Sequence, residues 1–284
     1  MGYNWGMVKK ILIVFFSLLL IGAACFYNAV NVNPTQFKIR EETIISDKID
    51  EDLDGFLVAY FTDLSLNDKI TDAYVDEVFA AISSFKPEMI VFGGDLLDQD
   101  ASIPSERIDH LVEKLSDLHA PYGKYAVLGD QDMRDPENIS QKLNDAGFKI
   151  LNNAGVLISK DNDSYFNIVG IESLVNGSPD LASAFSYANA NYYTLVTSHC
   201  PDIFDSILGY HSDLLLSGHS RGGQIYIPLL SLFGRDYGCK KYYHGKTTKD
   251  GATIDVSNGL GMIGDKARFL ADAEIVLYTF RSAD

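Results

Sequence analysis

At 284 residues and 46% hydrophobic composition, the chain can form one large domain or two small ones and is too apolar for a disordered polymer. Its 23 basic and 39 acidic residues give a net charge of −16, and no cluster of five or more basic residues breaks the pattern. Such a surface repels a phosphate backbone, which argues against nucleic acid as a partner. The mean hydropathy of +0.00 averages two unlike parts. Only Lys9 and Lys10 are charged among the first 30 residues, so the remainder carries all 39 acids against 21 bases.

Residues 11–30 form a run of 20 without a charge. A helix of that length reaches about 30 Å, the thickness of a bilayer's hydrocarbon core, and has no polar face to show to water. Lys9 and Lys10 precede it, so the positive-inside tendency predicts a single-pass protein of the cell membrane, with a cytoplasmic N-terminus and an extracytoplasmic body. Three readings of the segment compete: a retained anchor, a cleaved signal peptide, and a lipoprotein signal ending at Cys25 after Gly22, Ala23 and Ala24. The retained anchor is preferred over the lipoprotein signal, because the apolar run continues past Cys25 and exceeds the usual apolar core of a signal peptide. The expected division is an anchor over 1–30, a linker and first extended segment over 31–54, and a folded domain over 55–284. Cys200 and Cys239 lie far apart and read more simply as two separate thiols than as a bridge.

From residue 56 onward, short apolar runs alternate with helical patterns. A strand is predicted over 56–64 (FLVAYFTDL), followed by a helix whose face carries Ile70, Tyr74, Val78, Ile82 and Phe85. A strand over 89–92 precedes a helix starting near Pro104, with Ile108, Leu111, Val112, Leu115 and Leu118 inward. A third strand at 125–128 leads to a helix opened by Asp135 and Pro136 and closed by Gly147. Strands follow at 167–171, 193–197 and 213–216, with a helix around 181–188 and a short one from Pro201. The last third is richer in strands, at 224–227, 252–256 and 274–280, and 32–49 reads as a linker. Alternation of this kind predicts an α/β sheet with helices on its faces, whose ligand crevice lies beyond the carboxyl ends of the strands.

The residues at those ends are Thr62-Asp63-Leu64-Ser65, Gly93-Gly94-Asp95-Leu96-Leu97-Asp98, Gly129-Asp130-Gln131-Asp132, Ser198-His199-Cys200-Pro201-Asp202 and Gly218-His219-Ser220-Arg221-Gly222-Gly223-Gln224. A lone Asp after a strand is usually a turn residue, and a lone His is usually a packing residue. Five turns in succession that each deliver an acid or a histidine point instead to a cation, since converging carboxylates repel without one. His110, His119, His211 and His244 fall outside these turns and read as surface or packing residues.

Over about 55–280 the chain resembles the calcineurin-like metallophosphoesterases, in particular their bacterial membrane-anchored group. The resemblance is carried by GDLLD, HCPD and GHSRGGQ, with support from Ser257-Asn258-Gly259-Leu260-Gly261. It implies two packed mixed β-sheets flanked by helices, and two metal ions that activate a hydroxide for attack on phosphorus. The chain departs from the family pattern at three histidines, where it has Ser65, Gln131 and Arg221. Carried over residue by residue, the second metal keeps Asp95, Asp130, His199 and His219. The first keeps only Asp63 and the shared Asp95.

The resemblance therefore implies one divalent ion, manganese, iron or zinc, held by Asp63, Asp95, Asp130, His199 and His219, with a second in doubt. Arg221 is expected to take the place of the missing ion and to pair with Asp63, because a buried unpaired carboxylate costs several kcal/mol. Gln131 stands where the family's histidine assists the leaving group, and it can donate a hydrogen bond but not a proton. Arg221 and Gln131 are thus the catalytic candidates. Two functions compete: metal-dependent hydrolysis of a phosphoester, lipid-linked given the membrane segment, and a non-catalytic binding or regulatory protein on the same fold. The apolar stretch 225–233 (IYIPLLSLF) reads either as a lipid-facing rim or as strand and core.

Overall fold

The computed structural model describes residues 5–160, 164–227 and 235–283. Helix α1 spans Trp5–Tyr27, and it runs through a π turn at Asn28–Val32 and a 3-10 turn at Asn33–Thr35. This stretch is long and apolar enough to cross a membrane, and none of its most apolar window is buried. Strand β1, Phe37–Ser46, begins one residue later. The segment 32–49 is therefore not a linker. The extended part expected within 31–54 pairs in parallel with β12, Ala273–Ser282, over its full length.

Two six-stranded sheets form the body. The first has the order β1, β12, β2 (Phe56–Phe61), β3 (Met89–Phe92), β4 (Lys124–Ala126) and β5 (Phe148–Ile150). The second has the order β10 (Gly245–Lys249), β11 (Ala252–Val256), β9 (Leu214–Ser217), β8 (Tyr193–Ser198), β7 (Ser164–Ile171) and β6 (Ala154–Lys160). Parallel pairs run from β2 through β5 and from β7 through β9, while β12 with β2 and the β6–β7 and β10–β11 pairs are antiparallel. Both sheets are thus mixed, as expected.

Strand periodicity sorts the core into layers. Val58, Tyr60, Val91, Leu195, Leu216, Val276 and Tyr278 meet between the sheets. Ala59, Phe61, Ile90 and Phe92 point the other way, onto α2 (Asp72–Phe85), α3 (Ser105–Ser116) and α4 (Pro136–Asp145). The outer face of the second sheet is covered by the short helices α5 (Leu181–Ala184) and α6 (Phe204–Ile207).

Several elements stop short of their predicted limits for a local reason. β2 ends at Phe61 rather than 64, because Asp63 and Ser65 adopt φ of 53° and 44°, which no strand accommodates. Residues 224–227 form no strand: Gln224 has φ 54°, and only the isolated pair Ile225–Phe269 remains. The helix expected to reach 188 closes at Ala184. Asp135 precedes α4 without capping it through its side chain. Strands β5, β6 and β10 lie where no strand was predicted. All three cysteines are free, Cys200 and Cys239 in the interior. Of the apolar stretch 225–233, residues 228–233, including Leu229, Leu230, Leu232 and Phe233, lie outside the described residues.

Arg40 of β1 joins the two sheets at their edge. Its guanidinium donates to Asp255 of β11 at 2.9 and 3.1 Å and to Glu274 of β12 at 3.1 and 3.2 Å. Asp255 is fully buried and also accepts from the Tyr278 hydroxyl at 2.7 Å. Replacing Arg40 by Met removes the paired guanidinium and leaves the buried carboxylate with the Tyr278 hydroxyl and the Lys246 ammonium at 4.0 Å, so urea unfolding should show a loss of about 3 kcal/mol. A loss below about 1 kcal/mol would place Arg40 among ordinary surface ion pairs.

Candidate metal centre

The site is built at the carboxyl ends of five strands. β2 delivers Asp63, β3 Asp95, β4 Asp130, β8 His199 and β9 His219 with Arg221. Of the eleven non-glycine residues with positive φ among the described residues, six lie in these turns: Asp63, Ser65, Asp95, His219, Arg221 and Gln224. Left-handed backbone at a side-chain-bearing residue costs on the order of 1–3 kcal/mol, and such strain gathers where side chains must be aimed against local preference. Glycine is required at 259, where φ is +65° and an added Cβ would stand 2.6 Å from the Asp63 Cβ.

Two overlapping groups result, Asp130 with His199 and His219, and Asp63 with Asp95 and His199, each with ligand atoms within 4.8 Å of one another. His199 donates from Nδ1 to the Gly93 carbonyl at 2.8 Å, which aims Nε2 inward. That nitrogen lies 3.0 Å from Asp130 Oδ1, 3.3 Å from Asp95 Oδ2 and 3.9 Å from Asp63 Oδ1. His219 is held in the opposite sense: Nε2 donates to the Tyr237 carbonyl at 2.9 Å and Nδ1 faces Asp130 Oδ1 at 2.8 Å. The Asp63 Oδ2 accepts from the Thr62 hydroxyl at 2.9 Å and the His219 N–H at 3.0 Å, and the Asp95 Oδ1 accepts from the Gln131 N–H at 2.9 Å.

Arg221 enters the carboxylate pair directly. Its Nη2 lies 2.7 Å from Asp95 Oδ2, 3.2 Å from Asp63 Oδ1 and 3.0 Å from the Ser65 Oγ. The pairing expected with Asp63 is present, and the shorter contact is to Asp95. Ser65 has the small side chain that leaves room for the guanidinium and accepts from it.

The charges answer one another. Burial opposes the charge on Asp95, but His199 and Arg221 outweigh it and hold the carboxyl below its ordinary range. Asp130 is likewise desolvated, and the facing imidazoles of His199 and His219 hold its carboxyl well below the ordinary range. Burial works against a proton on His199, yet Asp95 and Asp63 keep its pKa well above the usual value. For His219 burial is again overcome, chiefly by Asp130, and the ring is pushed up to about 11.

The curated relatives fit this geometry. A metallophosphoesterase of Bacillus subtilis, uncharacterized YkuE, is 30% identical over 256 residues, which cover 89% of this chain and 88% of that protein. The chain belongs to the metallophosphoesterases. An uncharacterized member from Helicobacter pylori is 29% identical over 94% of this chain and 70% of its own. The UDP-2,3-diacylglucosamine pyrophosphatase LpxG of Chlamydia trachomatis is 26% identical over 62% of this chain and 66% of its own. No family model matches the chain.

Divalent metal use goes with this family, and the donor set suits it. Among the described residues, the Asp63 Oδ1 and the His199 Nε2 are buried side-chain atoms without a hydrogen-bond partner, and both point into the cluster. Carboxylate and imidazole donors together match a borderline divalent cation. Gln131 contributes its backbone N–H to Asp95, whereas its side-chain carbonyl accepts from Arg134 at 3.2 Å. Asp132 accepts from the N–H groups of Gly129, Asp95 and Leu96 at 2.7–2.9 Å and so locks the β3 and β4 ends together.

Sequence reasoning missed Arg268, which is fully buried. It donates to the carbonyls of Asn258, Gly259, Gly261 and Ala271. The turn it pins bonds in turn to the backbone at Thr62 and Asp63, through the Leu260 and Gly261 N–H groups at 3.0 and 2.6 Å. A lone arginine outside every motif offers no local signal of this role. Among the other histidines, His110 pairs with Asp76 and His244 stacks on Tyr226, as packing residues do.

Both site imidazoles have raised pKa values, so at pH 7 each carries a proton that a metal must displace. Loading the purified chain with manganese at pH 7 should release about two protons per ion, measured by calorimetry in buffers of different ionisation enthalpy, and affinity should fall as pH falls. Release of none would mean that the imidazoles are neutral before binding.

Proposed function

We propose that the chain is a membrane-attached metallophosphoesterase that hydrolyses a phosphoester with one divalent ion, held by Asp95, Asp130, His199 and His219 with Asp63 at its edge. Arg221 stands in for the second cation. The observation that carries this reading is the division of the cluster, with two imidazoles meeting Asp130 on one side and the Arg221 guanidinium between Asp63 and Asp95 on the other.

The ion supplies Lewis acidity toward phosphoryl oxygens and acidifies water. Arg221 supplies fixed positive charge: Nη2 neutralises the two carboxylates, and the guanidinium borders the cavity in which a phosphoryl oxygen would sit. A cavity of about 450 Å³ adjoins it, lined by His219, Arg221, Gln224, Ile225 and Tyr243 among others, and receives the ester. Gln131 steadies the leaving group by hydrogen bonding once its amide leaves Arg134, and it transfers no proton. The diacylated substrate named for LpxG and the membrane-length helix α1 together favour an amphipathic phosphoester near a bilayer. The two lysines before α1 favour a cytoplasmic N-terminus and an extracytoplasmic body.

A second reading, a non-catalytic phosphoester-binding protein, draws on the same Arg221, since a guanidinium cannot acidify water as a second metal does. Metal content and turnover separate the two. The full chain in detergent, loaded with manganese, should hold one ion by elemental analysis and cleave bis(4-nitrophenyl) phosphate. The His219→Ala variant should lose both properties, and joint replacement Ser65→His, Gln131→His and Arg221→His should bind two ions. Two ions in the unaltered chain would sink the assignment of Arg221. No ion and no turnover, indifferent to His219→Ala, would establish the binding protein.

A further inference from the structure

A groove of about 500 Å³ lies between the last turns of α1 and the body. Its apolar lining comes from Ala24 and Cys25 on the helix and from Phe37, Phe269 and Leu270 on the body, while Asn28 and the Lys38–Asp272 ion pair are among its polar groups. One apolar side and one polar side is the character of a bilayer's interfacial zone, and the groove is continuous with the helix surface that fits the hydrocarbon. The helix is fastened there: the Arg268 N–H donates to the Ala29 carbonyl at 2.9 Å, and Asn33 Nδ2 donates to the Arg268 carbonyl at 3.0 Å.

Leu270 is a second, independent observation. It adopts φ 52°, a conformation that leucine avoids, and is nonetheless 55% exposed. Backbone strain that presents a leucine to water gains nothing in a soluble setting and is explained by an apolar medium outside. The neighbouring Phe269 exchanges backbone hydrogen bonds with the cleft loop: its N–H donates to the Gln224 carbonyl at 2.9 Å, and the Tyr226 N–H donates to its carbonyl at 2.7 Å. Ile225, between those two loop residues, lines the Arg221 cavity and is itself 43% exposed. A single strip of chain thus has the groove on one flank and the cleft on the other.

We infer that the groove is an acyl-chain site: one chain of a bilayer phosphoester lies along Phe269 and Leu270 against α1, and its headgroup crosses the Ile225 edge into the Arg221 cleft. The substrate role rests on the phosphoesterase reading above, whereas occupation of the groove by lipid does not.

The full chain, reconstituted in phosphatidylcholine–phosphatidylglycerol vesicles with a phospholipid bearing a diazirine on its acyl chain, tests this by photolysis and peptide mapping. Labelling is expected at Phe269 or Leu270 as well as on α1. Ala24→Trp, which fills the groove from the helix side, and Leu270→Asp, which charges it, should each lower body labelling about tenfold, at unchanged manganese content. Labelling confined to residues 5–27, or body labelling indifferent to both variants, would overturn the inference. Cleavage of bis(4-nitrophenyl) phosphate is read in parallel: its absence in the unaltered chain refutes the phosphoesterase reading and leaves the labelling result to stand by itself.

Discussion

Three carboxylates, Asp63, Asp95 and Asp130, converge on the His199 Nε2, each with an oxygen 3.0–3.9 Å from it, in a largely water-free crevice, and the rest of the site answers that constraint. Like charges so placed repel strongly at low dielectric, and each carries a desolvation cost of several kcal/mol. Two devices lower it. The backbone N–H groups of His219 and Gln131 and the Thr62 hydroxyl donate to the carboxylate oxygens, and cationic groups, His199, His219 and Arg221, converge from the opposing turns. The strained backbone at six turn positions is what allows those groups to converge.

The two halves of the cluster differ in the kind of positive charge they hold. The imidazoles can lose their protons and become ligands, so that half is exchangeable and pH-sensitive. A guanidinium keeps its proton throughout the physiological range, so the Arg221 half is permanently neutralised. The two halves therefore offer a cation different surroundings: exchangeable imidazole and carboxylate donors on one side, and a fixed guanidinium on the other.

Much of this was legible in the sequence, because the information is local. Short apolar runs followed by Asp or His turns located the strand ends, and the GHSRGGQ motif pointed to Arg221. What could not be read depends on partners distant in the chain. The pattern of 37–46 is weakly alternating and rich in charge, and it becomes a strand only because β12 offers an edge over ten residues and Asp255 and Glu274 receive Arg40. Residues 224–227 show the converse: apolar enough for a strand, they are bent by Gln224 and tied to Phe269 instead. Arg268 is a buried cation whose side chain donates to carbonyl groups of the nearby 258–261 loop and of Ala271, and the carboxylate that loop supports, Asp63, lies about 200 residues away in sequence.

The junction of α1 with β1 also sets how far the protein can reach. A flexible tether of 18 residues, the length of the expected linker at 32–49, would have an end-to-end distance of roughly 20–25 Å and let the domain sample the space above a bilayer. Here helical turns continue to Thr35, Gln36 alone separates them from β1, and the Arg268 backbone clamps the turn at Ala29. Were α1 embedded in a bilayer, the cleft would keep a fixed height and orientation over the surface. For a target carried in the same bilayer, encounter would then be a two-dimensional search, its rate set by lateral diffusion and by the surface density of the target rather than its bulk concentration.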